Sequence, residues 1–145
     1  MPDNKAIIRR FYQEVINEAN PDRASDFYAP DVELHFPGLP EDPYGPEPVR
    51  DLVRTILTAF PDIQVTIEDL VAEKDKVVAR VTFRGPHQGS GMGISGRSPL
   101  ATWSRVDIFR LFEGKIVEQW ADRDDAGLMA QLGIVVLPEP KSPLP

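Results

Sequence analysis

The sequence predicts an α+β protein, in which helices cover a curved antiparallel sheet and leave a cone-shaped pocket, as in an α+β barrel. Apolar residues recur at helical spacing in two segments, 7–16 and 49–57. Strand-like segments follow one another from residue 63 to residue 124. The last of them, 103–124, has Glu113-Gly114 at its centre, where glycine permits the positive φ that a two-residue hairpin turn requires.

The first helical segment begins at a residue that can cap it. Asp3 offers a side-chain oxygen to the first turn, and the apolar spacing continues until the helix ends near Asn20. Asn20-Pro21 then begins a short helix through Phe27, because proline suits the first position of a helix. The next segment, 32–36, alternates apolar and polar residues as a strand does.

Two long connections separate the remaining elements. Residues 37–48 hold five prolines and are predicted to form a loop of the kind that often borders a site. The helix over 49–57 and strands over 63–67 and 77–83 follow. The second connection, 85–99, contains five glycines and two prolines.

A short helix is predicted after the closing hairpin. It is capped by Asp124 or Asp125 and ends at Gly133. The sequence therefore predicts one domain over residues 1–134, followed by a proline-rich tail over 135–145.

Composition disfavours several classes of function. With no cysteine among 145 residues, disulfides, thiolate metal sites and cysteine catalysis are excluded. A net charge of −7 disfavours nucleic-acid binding, which needs basic surface. No segment has the length and apolarity of a transmembrane helix, and Met1 is not followed by a basic, apolar leader, so we expect a cytoplasmic protein that binds no membrane. His35 and His87 are too few and too far apart in sequence for a standard zinc site.

The register of the closing hairpin predicts a pocket wall. If Phe112 pairs with Lys115, Asp107 lies opposite Trp120 and Arg105 opposite Asp122. Side chains two residues apart share a face. The face so defined mixes large apolar groups, several carboxylates and one arginine, which suits a pocket: Trp103, Arg105, Asp107, Phe109, Ile116, Glu118, Trp120, Asp122 and Asp124. A slip of one residue would move these side chains to the other face.

Four stretches resemble a known family. They are 27–36 (FYAPDVELHF), 85–89 (GPHQG), 109–120 (FRLFEGKIVEQW) and 124–133 (DDAGLMAQLG). With the order of elements, they resemble the SnoaL-like polyketide cyclases of the nuclear transport factor 2-like superfamily, over roughly residues 5 to 134. The resemblance implies an intramolecular aldol closure of a polyketide ester, catalysed by an aspartate on the last strand without metal or organic cofactor. It also implies a homodimer, because sheet faces of this fold commonly pair.

The resemblance implies roles for individual residues. Asp122, by its place after the tryptophan of the last strand, matches the catalytic acid and base. His87 or Tyr12 could then donate a hydrogen bond to the enolate. Some cyclases carry a histidine on the penultimate strand, where this chain has Asp107 or Arg105.

Structural alternatives stay open for most of these side chains. Asp122 could be a strand-end carboxylate paired with an arginine, and Asp107 a surface ion-pair partner. Asp124 could be a helix cap. Trp103, Trp120 and Tyr12 could pack in the core or bind substrate, and His35 and His87 could face the pocket or solvent. Phe109, on the predicted pocket wall, is expected to bind substrate.

Two other functions remain open at this point. The chain could be a non-catalytic domain of the same fold that binds a small molecule or a partner. It could also open epoxides, as the limonene epoxide hydrolase branch does with an Arg-x-Asp pair on an earlier strand. The matching stretch here is Arg80-Val-Thr82, which lacks the aspartate, so Asp107 would have to replace it.

Overall fold

The computed structural model describes residues 3–36, 45–87 and 98–123. The helices are α1 (Asn4–Phe11), continued by a π-helical turn (Tyr12–Asn17), then a 3₁₀ segment (Pro21–Asp26) and α2 (Glu47–Ala59). The strands are β1 (Tyr28–His35), β2 (Gln64–Glu73), β3 (Lys76–His87), β4 (Ser98–Phe112) and β5 (Lys115–Arg123).

The five strands form one sheet in the order β1-β5-β4-β3-β2. The predicted α+β class is confirmed, with helices on a curved sheet. The sheet is mixed, however, because β1 runs parallel to β5 while the other three pairings are antiparallel. Among the described residues it is also not closed into a barrel. Most of the chain connects β1 to β5, so no hairpin turn requires an antiparallel pairing between them.

The core lies between the helices and one face of the sheet. Along β3, Val77, Ala79, Val81 and Phe83 are buried, while the alternate residues point away from the helices. We call the buried side the inner face and the opposite side the outer face. On β4 the inner face carries Trp103, Arg105, Asp107 and Phe109, as predicted.

Most helix and strand predictions are confirmed, with shifted ends. α1 is capped by Asp3, whose side chain accepts a hydrogen bond from the Lys5 amide at 3.0 Å. The hairpin turn is at Glu113-Gly114, where φ is 50° and 79°. The predicted helix over 124–133, the tail and most of the proline-rich loop lie outside the described residues. Neither α1, α2 nor any other described helical segment has the length and apolarity needed to cross a membrane.

One irregularity in the β4–β5 hairpin changes which β5 side chains face inward. Phe112 pairs with Lys115, as predicted. A β-bulge then inserts Val117 as an extra residue, so that Asp107 pairs with Ala121 rather than with the predicted Trp120. Beyond the bulge, every β5 side chain therefore lies on the face opposite to the predicted one.

Candidate active site

A narrow pocket lies between the helices and the inner face of the sheet, with a cavity volume of about 30 Å³. Most of its wall is apolar and comes from α1 and its π-helical continuation, α2, β3 and the end of β1: Phe11, Ile16, Phe36, Val49, Leu52, Val53, Ile56 and Phe83. Its polar groups are Tyr12, Tyr28, Arg105, Asp107 and Gln119. An apolar cavity with a few convergent polar groups is the usual form of a small-molecule site.

Asp107 is the acceptor at the centre of the polar group, and its exposure is 1%. Its Oδ1 accepts hydrogen bonds from Arg105 Nε at 2.8 Å and from Gln119 Nε2 at 3.1 Å. Its Oδ2 accepts a hydrogen bond from the Tyr12 hydroxyl at 2.5 Å. The carboxylate thus has one cationic and two neutral donors within the described residues.

Gln119 connects this carboxylate to β1. While its Nε2 donates to Asp107, its Oε1 accepts a hydrogen bond from the Tyr28 hydroxyl at 2.5 Å. Tyr28 and Gln119 are 2% and 1% exposed, so both hydrogen bonds are shielded from water. A continuous chain of side-chain hydrogen bonds therefore runs from Tyr12 through Asp107 and Gln119 to Tyr28.

Burial and the ion pair determine the charges in this site. Burial alone would lower the pKa of Arg105, but the neighbouring Asp107 carboxylate outweighs it and raises that pKa. Burial, reinforced by the Asp107 carboxylate, raises the pKa of both Tyr12 and Tyr28 well above the ordinary value. At neutral pH, Arg105 is therefore a cation and both tyrosines are neutral hydrogen-bond donors.

These raised pKa values predict how stability depends on alkaline pH. The folded-state pKa of Tyr12 and Tyr28 lies above the unfolded value of about 10. The stability they contribute is complete below about pH 10 and is lost as the pH rises through the folded-state pKa. We expect these two residues to ionise only when the protein unfolds. Ultraviolet absorbance follows the tyrosinate, and circular dichroism follows unfolding. Their ionisation in a native protein, assigned with Tyr12→Phe and Tyr28→Phe, would contradict this.

The structure brings together several of the residues predicted for the site. Arg105, Asp107 and Tyr12 meet in the pocket. Trp103 stacks on Phe83 with ring centroids 5.3 Å apart, so it supports the wall from behind.

Phe109 also lies behind the wall. It is fully buried and packs edge-on against Phe11 and Tyr12, which line the pocket. It therefore acts as a core residue beneath the site.

The structure places three other predicted site residues on the outer face. Asp122 pairs with Val106, and both are exposed, so its predicted position in the pocket is wrong. Trp120 stacks on His35 with ring centroids 5.3 Å apart, and both point away from the cavity. The bulge at Val117 places Asp122 and Trp120 on the outer face, because it reverses the alternation of β5.

Two predicted residues cannot be placed in this way. His87 is the last residue of β3, where its backbone pairs with Ser98, but its side chain lies outside the described structure. Asp124 lies outside the described residues altogether.

Sequence reasoning missed Gln119 and Tyr28. The available signal for Gln119 was that Ile116 and Val117 are apolar in succession, which breaks a strict alternation and is compatible with a bulge. Tyr28 carried no comparable signal, since its role depends on the parallel pairing of β1 with β5.

One group of side chains outside the pocket has the composition of a metal site. Ligand atoms of Glu33, His35 and Glu118 lie within 4.8 Å of one another on the outer face. Glu118 already accepts hydrogen bonds from His35 Nε2 at 2.8 Å and from Arg110 Nε at 3.1 Å. The His35 hydrogen bond, followed by Arg110, lowers the pKa of Glu118. These two hydrogen bonds account for the closeness of His35 and Glu118 without a bound metal.

The pocket has the groups needed for proton transfer to and from a carbonyl compound. The Asp107 carboxylate can take up a proton, the neutral Tyr12 phenol can donate to a developing oxyanion, and the apolar wall excludes water from the site.

The chain has recognisable relatives. A family model described as SnoaL-like polyketide cyclase matches residues 6–132. IdmH from Streptomyces antibioticus, a proposed polyketide cyclase, is 28% identical with a TM-score of 0.79, and the match covers 91% of this chain and 99% of that chain. AclR from Streptomyces galilaeus, a proposed hydroxylase, is 26% identical with a TM-score of 0.82, and the match covers 94% of this chain and 85% of that chain. TsrD from Streptomyces laurentii is 29% identical with a TM-score of 0.79, and the match covers 93% of this chain and 99% of that chain. None of the curated proteins matches the chain.

Proposed function

Since this chain belongs to the SnoaL-like polyketide cyclase family, we propose that it closes a ring in a polyketide-like carbonyl substrate by acid–base chemistry. The observation that carries the proposal is the buried carboxylate of Asp107 among three donors at the polar end of an apolar pocket. The acid/base role, assigned to Asp122 from the sequence, is thereby proposed for Asp107. Asp122 is exposed on the other face of the sheet and has no access to the pocket.

The proposed reaction needs one proton acceptor. Asp107 takes the proton from a carbon between two carbonyl groups, and the electron pair of the C–H bond forms an enolate. The enolate carbon attacks a second carbonyl carbon of the same substrate, so that one C–C bond forms and the second carbonyl oxygen becomes an alkoxide. Asp107 then returns its proton to that alkoxide.

Tyr12 is placed to stabilise the enolate. Its hydroxyl lies 2.5 Å from Asp107 Oδ2 and is protonated at neutral pH because burial raises its pKa. Once the carboxylate has taken up the substrate proton, the hydroxyl can donate to the enolate oxygen instead. Arg105 adds positive charge at the same end of the pocket.

The reaction changes no oxidation state and transfers no group to or from another molecule. Its balance therefore requires no redox or group-carrying cofactor, and we propose that the enzyme works without one. We also propose a cytoplasmic location, and a single domain over 1–134 followed by a tail over 135–145.

Exchange of α-protons tests the first step without knowledge of the natural substrate. The probe is ethyl benzoylacetate, an aromatic β-keto ester, in deuterated water, and the readout is loss of its α-proton signal by nuclear magnetic resonance. We expect exchange faster than in the same buffer without protein. Equal rates with and without protein, for this and related β-keto esters, would favour a non-catalytic binding domain.

Epoxide opening is a second candidate that one observation favours. Arg105 and Asp107 form an Arg-x-Asp pair inside the pocket, whereas Arg80 lies exposed on the outer face. Against it, β5 offers Gln119 and Ala121 on the pocket side among the described residues, and no second carboxylate to hold water. Hydrolysis of styrene oxide that disappears in Asp107→Asn would establish this function instead of cyclisation.

We propose that the outer face forms a homodimer. One register row crosses all five strands of the sheet and presents apolar and aromatic side chains: Val71, Val78, Ile108, Trp120 and His35. We call it the cross-sheet row. Val71 and Val78 are 60% and 36% exposed, and no described helix covers them. A second copy, related by a two-fold axis, would bury this row against its own equivalent.

A charge in the cross-sheet row is expected to separate the subunits. In Val78→Lys, the ammonium group would have to lose its hydration within the interface. We expect light scattering after size-exclusion chromatography to give a dimer for the native chain and a monomer for Val78→Lys. Phe112→Lys is the matched control, because Phe112 is 64% exposed at the hairpin end, outside the row. A monomeric native chain would overturn the proposal.

A further inference from the structure

Gln119 has a position that only the β-bulge explains. Because Val117 is an extra residue, the Gln119 side chain points to the inner face and is 1% exposed. A primary amide so deeply buried needs partners for both its ends, since an unpaired one would be costly. Both are supplied, by Asp107 to its nitrogen and by Tyr28 to its oxygen.

The partners determine the orientation of the amide. A carboxylate can only accept, so the Gln119 nitrogen must face Asp107. The Tyr28 hydroxyl then donates to the Gln119 oxygen, and burial, by raising its pKa, keeps that hydroxyl protonated. Reversal of the amide would set a carbonyl oxygen against a carboxylate oxygen, which is repulsive.

The two oxygens of Asp107 differ as a result. Each carboxylate oxygen has two lone-pair directions. Oδ1 receives two donors among the described residues, Arg105 Nε and Gln119 Nε2, whereas Oδ2 receives one, the Tyr12 hydroxyl. Oδ2 therefore retains capacity for a further proton and Oδ1 does not.

We propose that Gln119 is a positioning residue, which occupies Oδ1 of Asp107 and so directs proton transfer with substrate to Oδ2. The inference rests on the proposed function, because it assumes that Asp107 is the acid and base. It adds the identity of the reacting oxygen and the residue that selects it. Gln119 itself does not touch the transferred proton.

Two variants of Gln119 separate positioning from packing. Gln119→Glu keeps the size but places a second carboxylate next to Asp107, and two such close groups do not readily both ionise. We expect the acid limb of the pH–rate profile for ethyl benzoylacetate exchange to move up by about one pH unit or more. Gln119→Leu removes the donor. We expect its kcat to fall about tenfold or more, with KM changed by less than about threefold.

Gln64→Glu is the matched control, because it makes the same chemical change at an exposed position of β2. We expect it to keep the native pH–rate profile. Circular dichroism shows whether each variant retains the fold. The carbon resonance of the Asp107 carboxyl group, followed with pH, shows whether each variant retains the pocket.

Each outcome decides for or against the inference. An unchanged acid limb in Gln119→Glu, or an unchanged kcat in Gln119→Leu, would overturn the positioning role. A loss of rate in Gln119→Leu alone, with no pH shift in Gln119→Glu, would reduce Gln119 to a packing residue. Failure of the proposed function has a different signature, since exchange would then persist in Asp107→Asn whatever the residue at 119.

Discussion

Replacement of Asp107 by asparagine is expected to lower the catalysed exchange of ethyl benzoylacetate by about 10²- to 10⁴-fold, the contribution typical of a positioned general base. The amide of asparagine is nearly the size of the carboxylate but cannot take up the substrate proton. Its oxygen can still accept a hydrogen bond from Arg105, which is 8% exposed and needs a partner. Circular dichroism and thermal unfolding should therefore show a folded protein that has lost its rate.

Asp122→Asn is the decisive comparison for this prediction. The substitution is chemically identical, but the Asp122 side chain is exposed on the outer face opposite Val106. We expect it to keep the native rate within about twofold, as for most exposed sites away from special features. Loss of activity in Asp122→Asn, with activity kept in Asp107→Asn, would restore the assignment made from the sequence.

Replacement of Arg105 by methionine is expected to lower the free energy of unfolding by about 3 kcal/mol. Arg105 and Asp107 are an ion pair at 2.8 Å whose side chains are 9% and 2% exposed. Methionine leaves the carboxylate charged and buried, with only the neutral donors Tyr12 and Gln119. Urea unfolding of the native chain and the variant at neutral pH measures the difference.

An exposed pair with a similar N–O distance provides the control. Arg80 Nε lies 2.7 Å from Asp69 Oδ2, but these side chains are 53% and 62% exposed. We expect Arg80→Met to cost less than about 1 kcal/mol, because water and salt screen such a pair. Equal effects of Arg80→Met and Arg105→Met would show that Arg105 does not compensate a buried charge.

The double variant Arg105→Met/Asp107→Leu tests whether the lost stability comes from the uncompensated charge. It removes both charges together, so it should recover much of the stability that Arg105→Met loses. A double variant less stable than Arg105→Met would mean that the packing of these two side chains matters more than their charges.

Local rules were sufficient for β4 and for the hairpin turn. Glycine at 114 and the pairing of Phe112 with Lys115 depend on residues adjacent in sequence. From that turn backward, strict alternation along β4 placed Arg105 and Asp107 on the inner face, where both are buried. The cation and the carboxylate of the pocket could therefore be named from the sequence.

The same rules failed on β5. A bulge shifts the strand by one residue, and the two consecutive apolar residues Ile116 and Val117 are compatible with a bulge but do not require one. The insertion of Val117 therefore moved Trp120 and Asp122 to the outer face and brought Gln119 into the pocket.

The sequence alone determined the α+β class, the positions of α1 and α2, the family resemblance and the inner face of β4. Only the tertiary structure decided that β1 runs parallel to β5, that the bulge turns Gln119 inward, and that Tyr12 and Tyr28 complete the network around Asp107. The physical reason is the range of the interactions. Helix periodicity and hairpin turns depend on neighbouring residues, whereas each contact of Tyr12 with Asp107 and Tyr28 with Gln119 joins residues more than 90 positions apart. Such contacts form only when the whole chain has packed.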